Sequence, residues 1–247
     1  SARAAASRGL SRPKFDELSP YENIGAARSV IGNPDLNPAR AWNYDAGFDY
    51  ATRNVTISLN AFHKTIRGVI EEVDTGIDRN GLDVYQVRNA GNGWTRGVEI
   101  EQRFRMPSNL PRWARMFSFW ANETLLASNL RANNGVERPF KEQPRWIANL
   151  GADLSDERFG ASLSVMANFI SRRYDYKPNG DVSAFGGSSG FDAAFYQRIR
   201  GNWRFFAEGN NLTGRGRIQD ENFLNGTTNR RTELFGRTVL AGIQVSF

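Results

Sequence analysis

Residues able to carry out covalent or metal chemistry are few in this chain of 247 residues. There is no cysteine and a single histidine, His63. The absence of cysteine excludes disulfides, thiol nucleophiles and thiolate metal sites. A lone histidine lacks the converging partners that catalysis or metal binding requires. We therefore predict no catalytic residue, no metal site and no bound cofactor.

Three aspartates near a glycine suggest a calcium loop at first sight. They are Asp74, Asp78 and Asp83, in the segment VDTGIDRNGLD. A calcium loop of the Asp-x-Asp-x-Asp-Gly type places its ligands at alternate positions, and this spacing does not fit that pattern. We predict a solvated loop over 71–82 instead.

Side chains suited to binding a small ligand are more numerous. Aromatic rings stack on flat ligands, amides donate and accept hydrogen bonds, and arginine pairs with anions. Many such residues stand between or near the ends of alternating segments. The candidate substrate-binding residues are Trp94, Trp120, Asn133, Asn134, Tyr174, Tyr176, Arg172, Arg173 and Arg230.

The net charge of +6 raises the question of an anionic partner. All but four of the 32 basic residues are arginines, and they are spread along the whole chain. Nucleic-acid binding typically needs a basic patch on one face or one element. The dispersion of the arginines therefore argues against a nucleic-acid partner.

Alternation of apolar and polar residues organises the chain. In AWNYDAGFDY, Trp42, Tyr44, Phe48 and Tyr50 share one strand face, while the residues between them are mostly polar. This period of two predicts β-strands. The register of the strand near 115–127 stays open, because both Phe117/Phe119 and Met116/Trp120 fit its apolar face. We predict nine strands, over 41–50, 54–64, 94–105, 115–127, 146–154, 161–169, 190–199, 203–211 and 233–247.

The connections between these strands alternate in length. Those near 52–54, 106–112, 155–159 and 200–202 are short, and those near 71–82, 128–143, 172–189 and 213–232 are long. Short turns at one rim, long loops at the other and aromatic residues at the strand ends are typical of a transmembrane β-barrel. No apolar run approaches the ~18 residues of a membrane helix. A β-sandwich with aromatic residues in its core is the alternative.

Five motifs, in order, resemble TonB-dependent outer-membrane receptors. Within GNPDLNPARAWNYDAGFDY (32–50) the matching residues are Asn33, Pro34, Leu36, Pro38, Tyr44 and Gly47. The segment ISLNAFHKTIRGVI (57–70) is similar to the next family strand, and RGVEIEQRF (96–104) to the Gly-Val-Glu strand. EGNNLTG (208–214) and FGRTVLAGIQVSF (235–247) resemble the last two strands. The Gly-Val-Glu strand and the ending resemble the branch common in sphingomonads, caulobacters and xanthomonads, where carbohydrates are frequent ligands.

The resemblance implies an all-β fold, a transmembrane antiparallel barrel in the bacterial outer membrane. Family barrels have twenty-two strands and a plug, and this chain would supply about the last nine strands. We expect 1–38 to be an extracellular loop segment, 39–247 to be the C-terminal portion of the barrel, and the plug domain to be absent from this chain. The last strand should then end at the periplasmic rim.

The function implied by the resemblance is active import, not catalysis. The whole receptor would bind a scarce nutrient, a carbohydrate or a ferric siderophore, and import it with energy from TonB–ExbB–ExbD acting through the plug. Its partners would be the remaining barrel strands, the plug, outer-membrane lipid and lipopolysaccharide, and the nutrient; lipopolysaccharide phosphate is an alternative partner for the loop arginines. A passive porin-like channel is the first alternative function, and an outer-membrane barrel enzyme is the second.

Two further sets of residues take roles from the same resemblance. Gly242, Val245 and Phe247 match a terminal assembly signal read by the barrel-insertion machinery, with Leu240 departing from the polar residue usual there. We expect deletion of Phe247 to impair membrane insertion. The polar strand faces should line the lumen and contact the plug, through Asp45, Asp49, Glu99, Glu101, Arg103, Asp192, Arg204 and Glu208.

Overall fold

The computed structural model describes residues 1–25, 28–234 and 236–246, most of which lie in β-strands. None of the helices in this part of the chain is long and apolar enough to cross a membrane. The two short helices are α1 (Phe15–Leu18) and α2 (Arg112–Arg115). In chain order the strands are β1 (Ala2–Ser11), β2 (Glu22–Ile24), β3 (Arg28–Ile31), β4 (Ala39–Ala51), β5 (Val55–Arg79), β6 (Leu82–Arg105), β7 (Phe117–Ala132), β8 (Glu137–Arg138), β9 (Trp146–Asp156), β10 (Ala161–Ile170), β11 (Arg173–Tyr176), β12 (Val182–Phe185), β13 (Ser188–Arg200), β14 (Trp203–Asn210), β15 (Arg217–Asn222), β16 (Thr228–Glu233) and β17 (Thr238–Val245).

Ten of these strands form one antiparallel ladder in the order β1-β4-β5-β6-β7-β9-β10-β13-β14-β17. The order follows the chain, so every neighbour is reached by a hairpin-type connection, as in an up-and-down barrel wall. All nine strands predicted from alternation are present, and the antiparallel all-β class is confirmed. β1 and β17 are the edges of this partial barrel as the described residues show it.

The first strand corrects the expectation that 1–38 is a loop segment throughout. Ala2–Ser11 pairs with β4 along its whole length, from Ala2 opposite Phe48 to Ser11 opposite Ala39. The sequence ARAAASRGLS hides this strand, because alanine, serine and glycine have low strand propensity and give no clear alternation. Pairing with the strongly patterned β4 supplies the order that local propensity lacks.

The two faces of the ladder differ in chemistry. One face, called the apolar face below, carries Trp42, Tyr44, Phe48 and Leu59 and leaves these large side chains 41–51% exposed. The opposite polar face carries a hydrogen-bonded row in which Asn168 Nδ2 donates to Asn149 Oδ1 at 2.5 Å. Asn149 Nδ2 in turn donates to Asn122 Oδ1 at 2.6 Å. An exposed apolar wall with a polar reverse side is the arrangement of a membrane barrel.

Register in β7 resolves the ambiguity left by the sequence. Phe119 lies opposite Phe104, which places Phe117 and Phe119 on the apolar face. Trp120 lies opposite Arg103 on the polar face. A side chain's face follows from its strand partner because residues directly opposite point to the same side of a sheet. The adjacent residues Phe119 and Trp120 therefore point to opposite faces of the sheet.

Connections at the two rims differ as predicted, with one change. The short-turn rim holds the connections at 52–54, 106–116, 157–160 and 201–202, the second of which contains α2. The opposite edge, the long-loop rim, holds the longer connections. There the predicted loop over 71–82 is wrong, because β5 and β6 continue as strands to a two-residue turn. Asn80 and Gly81 both have positive φ (58° and 80°), as a tight hairpin turn requires.

The most deeply buried side chains lie at the long-loop rim. Leu130 in β7 and Val84 in β6 are at most 1% exposed. β3 pairs in parallel with β6 there, with Ser29 opposite Val84. Separately, β11, β12, β15 and β16 form a four-stranded sheet of their own from the segments predicted as the last two long loops. The loops at this rim are therefore structured rather than irregular.

Candidate functional site

A cavity of about 400 Å³ opens on the polar face at the long-loop rim. Three segments form its walls: residues 126–128 of β7, the connection 139–145, and the segment 172–176 that contains β11. Polar, aromatic and cationic side chains converge on it, as expected for a small-molecule site. Its lining includes Leu126, Ser128, Phe140, Gln143, Arg145, Arg172, Tyr174 and Tyr176.

The connection 139–145 is held against the barrel wall by side chains. Phe140 N donates to Ser128 Oγ at 3.1 Å, and Gln143 Nε2 donates to Thr95 Oγ1 at 3.0 Å. The ring of Phe140 lies over Gly93, where an added Cβ would come within 2.8 Å of Phe140 Cζ. Glycine in β6 thus makes room for the aromatic side chain that forms one side of the cavity.

Gln143 has an unused hydrogen-bonding atom. Its Oε1 is buried and has no hydrogen-bond partner among the described residues. Buried polar atoms are nearly always paired, because leaving one unpaired costs roughly 1–3 kcal/mol. Gln143 therefore contributes an unsatisfied carbonyl oxygen to the packing around the cavity.

Two tyrosines supply the aromatic part of the lining. The rings of Tyr174 and Tyr176 have centroids 6.3 Å apart and an interplanar angle of 32°. Glu142 N donates to Tyr174 O at 2.7 Å, and this bond joins β11 to the connection 139–145. Burial raises the pKa of the Tyr176 phenol, so this side chain stays neutral and able to donate.

An ion pair supports the same wall. Arg138 and Glu71 are in direct contact, with side chains only 17% and 14% exposed. The guanidinium carbon of Arg138 lies 5.1 Å from the centroid of the Tyr176 ring. A cation over a ring face is attracted to it, so Arg138 fixes the ring of Tyr176 as well as neutralising Glu71. Loss of the Arg138 charge would therefore also release the ring of Tyr176.

The structure brings three of the predicted substrate-binding residues together: Arg172, Tyr174 and Tyr176. Arg173 lies with its guanidinium carbon 4.8 Å from the Phe185 ring centroid. Arg230 in β16 donates to Asp220 through Nε at 2.7 Å and Nη2 at 3.2 Å. This pairing lowers the pKa of Asp220 and raises that of Arg230.

The other four predicted substrate-binding residues lie elsewhere. Trp94 is on the apolar face, with its ring stacked on His63 at 6.4 Å between centroids. Trp120 is on the polar face but near the short-turn rim, with Ser58 and Glu101. Asn133 Nδ2 donates to Asn89 O in β6 at 2.8 Å, and Asn134 Oδ1 accepts from Val136 N at 3.1 Å within the β7–β8 turn.

Sequence reasoning missed Phe140, Gln143 and Arg145. The segment PFKEQPR (139–145) has no alternation and lies in a predicted loop, so nothing in its pattern distinguished binding residues from linker residues. The one available signal was the pair Pro139 and Pro144, which restricts the backbone between two strands.

All eight residues predicted to line the lumen lie on the polar face. Asp49 accepts from Ser58 Oγ at 2.7 Å and pairs with Arg3. Asp192 Oδ1 accepts from Asn211 N at 2.7 Å, and Glu208 accepts from the Tyr196 hydroxyl. The rest of the set, placed there by strand register, is Asp45, Glu99, Glu101, Arg103 and Arg204.

Two of the three residues of the expected assembly signal are described. Gly242 lies opposite Phe206, and a Cβ on it would come within 2.9 Å of that ring. Val245 lies opposite Trp203 on the apolar face. Phe247 lies outside the described residues, as does Phe235 of the motif quoted above.

Comparison with known proteins gives consistent matches. A family model described as "TonB dependent receptor-like, beta-barrel" matches residues 1–212. The iron-regulated outer membrane virulence protein of Vibrio cholerae is 23% identical over 192 residues, which are 73% of this chain and 28% of that protein. The chain thus spans about a quarter of that relative.

Solved structures of the same shape agree with the family match. The ferric enterobactin receptor of Pseudomonas aeruginosa, as its G324V mutant, superposes with a TM-score of 0.70 at 15% identity, covering 100% of this chain and 38% of that one. The copper transporter OprC gives 0.72 at 14% identity, covering 100% and 37%. At such identities the likeness concerns the fold, and in both cases this chain corresponds to little more than a third of the larger protein.

Proposed function

Because this chain belongs to the TonB-dependent receptor-like β-barrel family of the bacterial outer membrane, we propose that it forms part of the wall of an active nutrient transporter. The whole receptor binds a scarce nutrient outside the cell and imports it with TonB-transmitted energy. Family and fold relatives are transport receptors rather than enzymes. The cargo is a ferric siderophore or a carbohydrate.

The observation that carries this proposal is the cavity on the polar face at the long-loop rim. Tyr174 and Tyr176 offer ring surfaces, and Arg172 and Arg145 offer positive charge. Such a combination suits a small polar ligand with flat or anionic groups. The names of two relatives, an iron-regulated protein and a ferric enterobactin receptor, support iron uptake.

The polar face of the ladder, between the cavity and the short-turn rim, supports the proposal that the receptor's lumen is closed by a plug. Acids and amides line it from rim to rim, and the Asn122–Asn149–Asn168 row shows that neighbouring strands bond to one another there. We propose that acidic and basic residues on this face, including Asp45, Glu99 and Arg103, contact the plug. A plugged lumen distinguishes a gated receptor from an open channel.

The test uses the full-length receptor in cells grown on limiting nutrient. Tyr174→Ala/Tyr176→Ala should reduce uptake of the transported siderophore or sugar about tenfold at limiting concentration, since two stacking contacts are lost. Tyr21→Ala is the matched control, because Tyr21 is 83% exposed and does not line the cavity. Equal uptake by the double variant and the control would contradict the placement of the site.

Ion conductance across a lipid bilayer distinguishes an active receptor from a passive channel. Planar-bilayer recordings of the full-length protein should show a closed pore, because the plug fills the lumen. A large, steady conductance would favour a porin-like channel.

The enzyme alternative would depend on His63, the sole histidine. Its ring stacks on Trp94 on the apolar face, so we expect His63→Ala to leave transport unchanged.

A further inference from the structure

The apolar face of the ladder carries an acidic side chain between its two rims. Glu123 of β7 lies directly opposite Ile100 of β6 and Ala148 of β9. Its neighbour Asn122 belongs to the asparagine row on the polar face, so Glu123 points to the apolar side of the sheet. On β7 the apolar residues of this face run from Phe117 to Ala127. A carboxyl group therefore stands among residues that face hydrocarbon in a membrane barrel.

Gln102 of β6 is the hydrogen-bond partner of Glu123. Its Nε2 donates to Glu123 Oε2 at 3.1 Å. Within the described residues no arginine or lysine pairs with Glu123, and neither side chain forms another hydrogen bond. A side-chain amide has two N–H donors, and a carboxylate has two acceptor oxygens. One N–H of Gln102 and one oxygen of Glu123 are therefore left without a partner in this part of the chain.

Hydrocarbon makes these unused polar groups costly. Charged residues on the lipid face of a barrel destabilise it most at the depth of the bilayer midplane. Ionisable side chains within membrane spans are rare, and they usually mark a functional contact. The strand neighbours offer no relief, because the side chains of Ile100, Ala121 and Ala148 are all apolar. The groups that satisfy Gln102 and Glu123 must come from outside these strands.

Further strands of the same barrel cannot supply those groups. In the ladder β6 lies between β5 and β7, and β7 lies between β6 and β9. Each of the two strands thus has a hydrogen-bonded neighbour on both edges. A plug would lie in the lumen, on the other side of the wall. The partner of Gln102 and Glu123 is therefore a molecule that lies beside the barrel within the membrane.

The Gln102–Glu123 pair is complementary to a second copy of itself. Two copies in one membrane stand the same way up, so a two-fold axis along the membrane normal brings together residues at the same depth. Gln102 and Glu123 lie at nearly the same depth, because their bonded atoms are 3.1 Å apart. The unused N–H of each Gln102 can then donate to the unused oxygen of Glu123 in the other copy. One two-fold contact satisfies both pairs.

We propose that Gln102 and Glu123 form the centre of a side-by-side contact between two copies of the receptor in the outer membrane. The occupant of this surface is a second copy, because the surface holds both a donor and an acceptor, whereas lipid acyl chains offer neither. Hydrogen bonds between membrane-spanning segments contribute to their association. The contact lies on the opposite side of the wall from the ligand cavity, so it is independent of nutrient binding.

The test uses the full-length receptor in outer membranes, with a cysteine introduced beside the pair. Residues 1–247 contain no cysteine, and Ala121→Cys places one directly opposite Gln102. Oxidation by copper phenanthroline should give a product of twice the receptor mass on a non-reducing gel. Ala193→Cys, opposite Val165 on the apolar face of β13, is the matched control and should stay monomeric.

Three results of this experiment would overturn the proposal. Equal amounts of dimer from the two cysteine positions would indicate random collision in the membrane. No dimer from either position would mean that the two copies do not meet at this surface. A product that joins the receptor to a different protein would show that the partner is not a second copy.

Variants made in the Ala121→Cys receptor separate hydrogen bonding from packing. Gln102→Leu/Glu123→Leu removes both polar groups and should lower the dimer fraction about tenfold. Folding should not suffer, because a charge on the lipid face destabilises a barrel. Glu123→Gln keeps hydrogen-bonding atoms at this position and should retain the dimer.

An unchanged dimer fraction in the leucine variant, or an equal loss in Glu123→Gln, would refute the role of these hydrogen bonds. If the leucine variant does not fold, the comparison of Ala121→Cys with Ala193→Cys still decides whether two copies meet at this surface.

Discussion

Arg138 and Arg131 show how burial changes the importance of one side chain. Both belong to the β7–β8 hairpin, and both face a glutamate. Arg138 is 17% exposed and contacts Glu71 and the Tyr176 ring, whereas Arg131 is 74% exposed and lies 3.8 Å from Glu137. Removing one partner of a buried pair leaves an uncompensated charge, while exposed pairs contribute little. Sequence gives no hint of this difference.

We expect Arg138→Gln to loosen the ligand cavity. The change leaves Glu71 unpaired and frees the Tyr176 ring, which should cost about 2–3 kcal/mol of local stability. Hydrogen exchange over 139–145 in the full-length receptor should therefore become faster. Arg131→Gln is the control and should change exchange there very little. Unchanged exchange in Arg138→Gln would mean that the ion pair does not support the cavity.

The Asp220–Arg230 pair makes the four-stranded sheet sensitive to acid. Arg230 holds the pKa of Asp220 below its usual value of 3.8. A lowered pKa means that the stabilising interaction is complete above the ordinary pKa and is lost as pH falls through the lowered one. Amide exchange in β15 and β16 should thus rise relative to β11 below about pH 4. In Arg230→Gln this additional rise should vanish, and its persistence would contradict the assignment.

At the scale of the element, alternation predicts strands well where side chains are large and differ in polarity. β4 and β10 were placed within two residues from sequence, since Trp42 to Tyr50 and Ala161 to Phe169 alternate strictly. β1 could not be predicted in this way, because its alanine and serine residues differ too little in size and polarity to form an alternating pattern. The sequence also did not predict that β5 and β6 extend to a tight turn at Asn80 and Gly81. A polar strand that projects beyond the membrane resembles a loop in composition.

Gly151 in β9 has a packing role that composition does not reveal. A Cβ at this position would lie 2.1 Å from Trp120 Cε2, so the indole covers the glycine across the strand pair. Gly151→Ala must displace that ring, at a cost of roughly 1–3 kcal/mol. The folded fraction of the full-length receptor, judged by heat-modifiable electrophoretic mobility, should fall.

Gly190 provides the matched control for this substitution. It also lies in a ladder strand, β13, but a Cβ added there would meet no atom within 4 Å. Gly190→Ala should therefore leave the folded fraction unchanged. Equal effects of the two substitutions would show that general loss of glycine flexibility, rather than contact with Trp120, sets the outcome.

At the scale of the whole molecule, sequence reasoning reached the fold and the family but only part of the site. The ladder order and the apolar and polar faces follow from strand period and loop length. The cavity needs contacts between segments far apart in sequence, such as Gln143 with Thr95 and Arg138 with Glu71. The first contact depends on how the 139–145 connection folds back onto β6, and the second on how β8 approaches β5. No local pattern specifies that path.

The central claim is that the chain serves a plugged, energy-coupled receptor. The most direct measurement is uptake of the limiting nutrient by cells making the full-length receptor, compared between strains with and without functional TonB. The account predicts saturable uptake in the first strain and none above background in the second, because in the proposed mechanism the plug opens only when TonB acts on it. Equal uptake in both strains, rising linearly with concentration, would contradict the account and identify a passive channel.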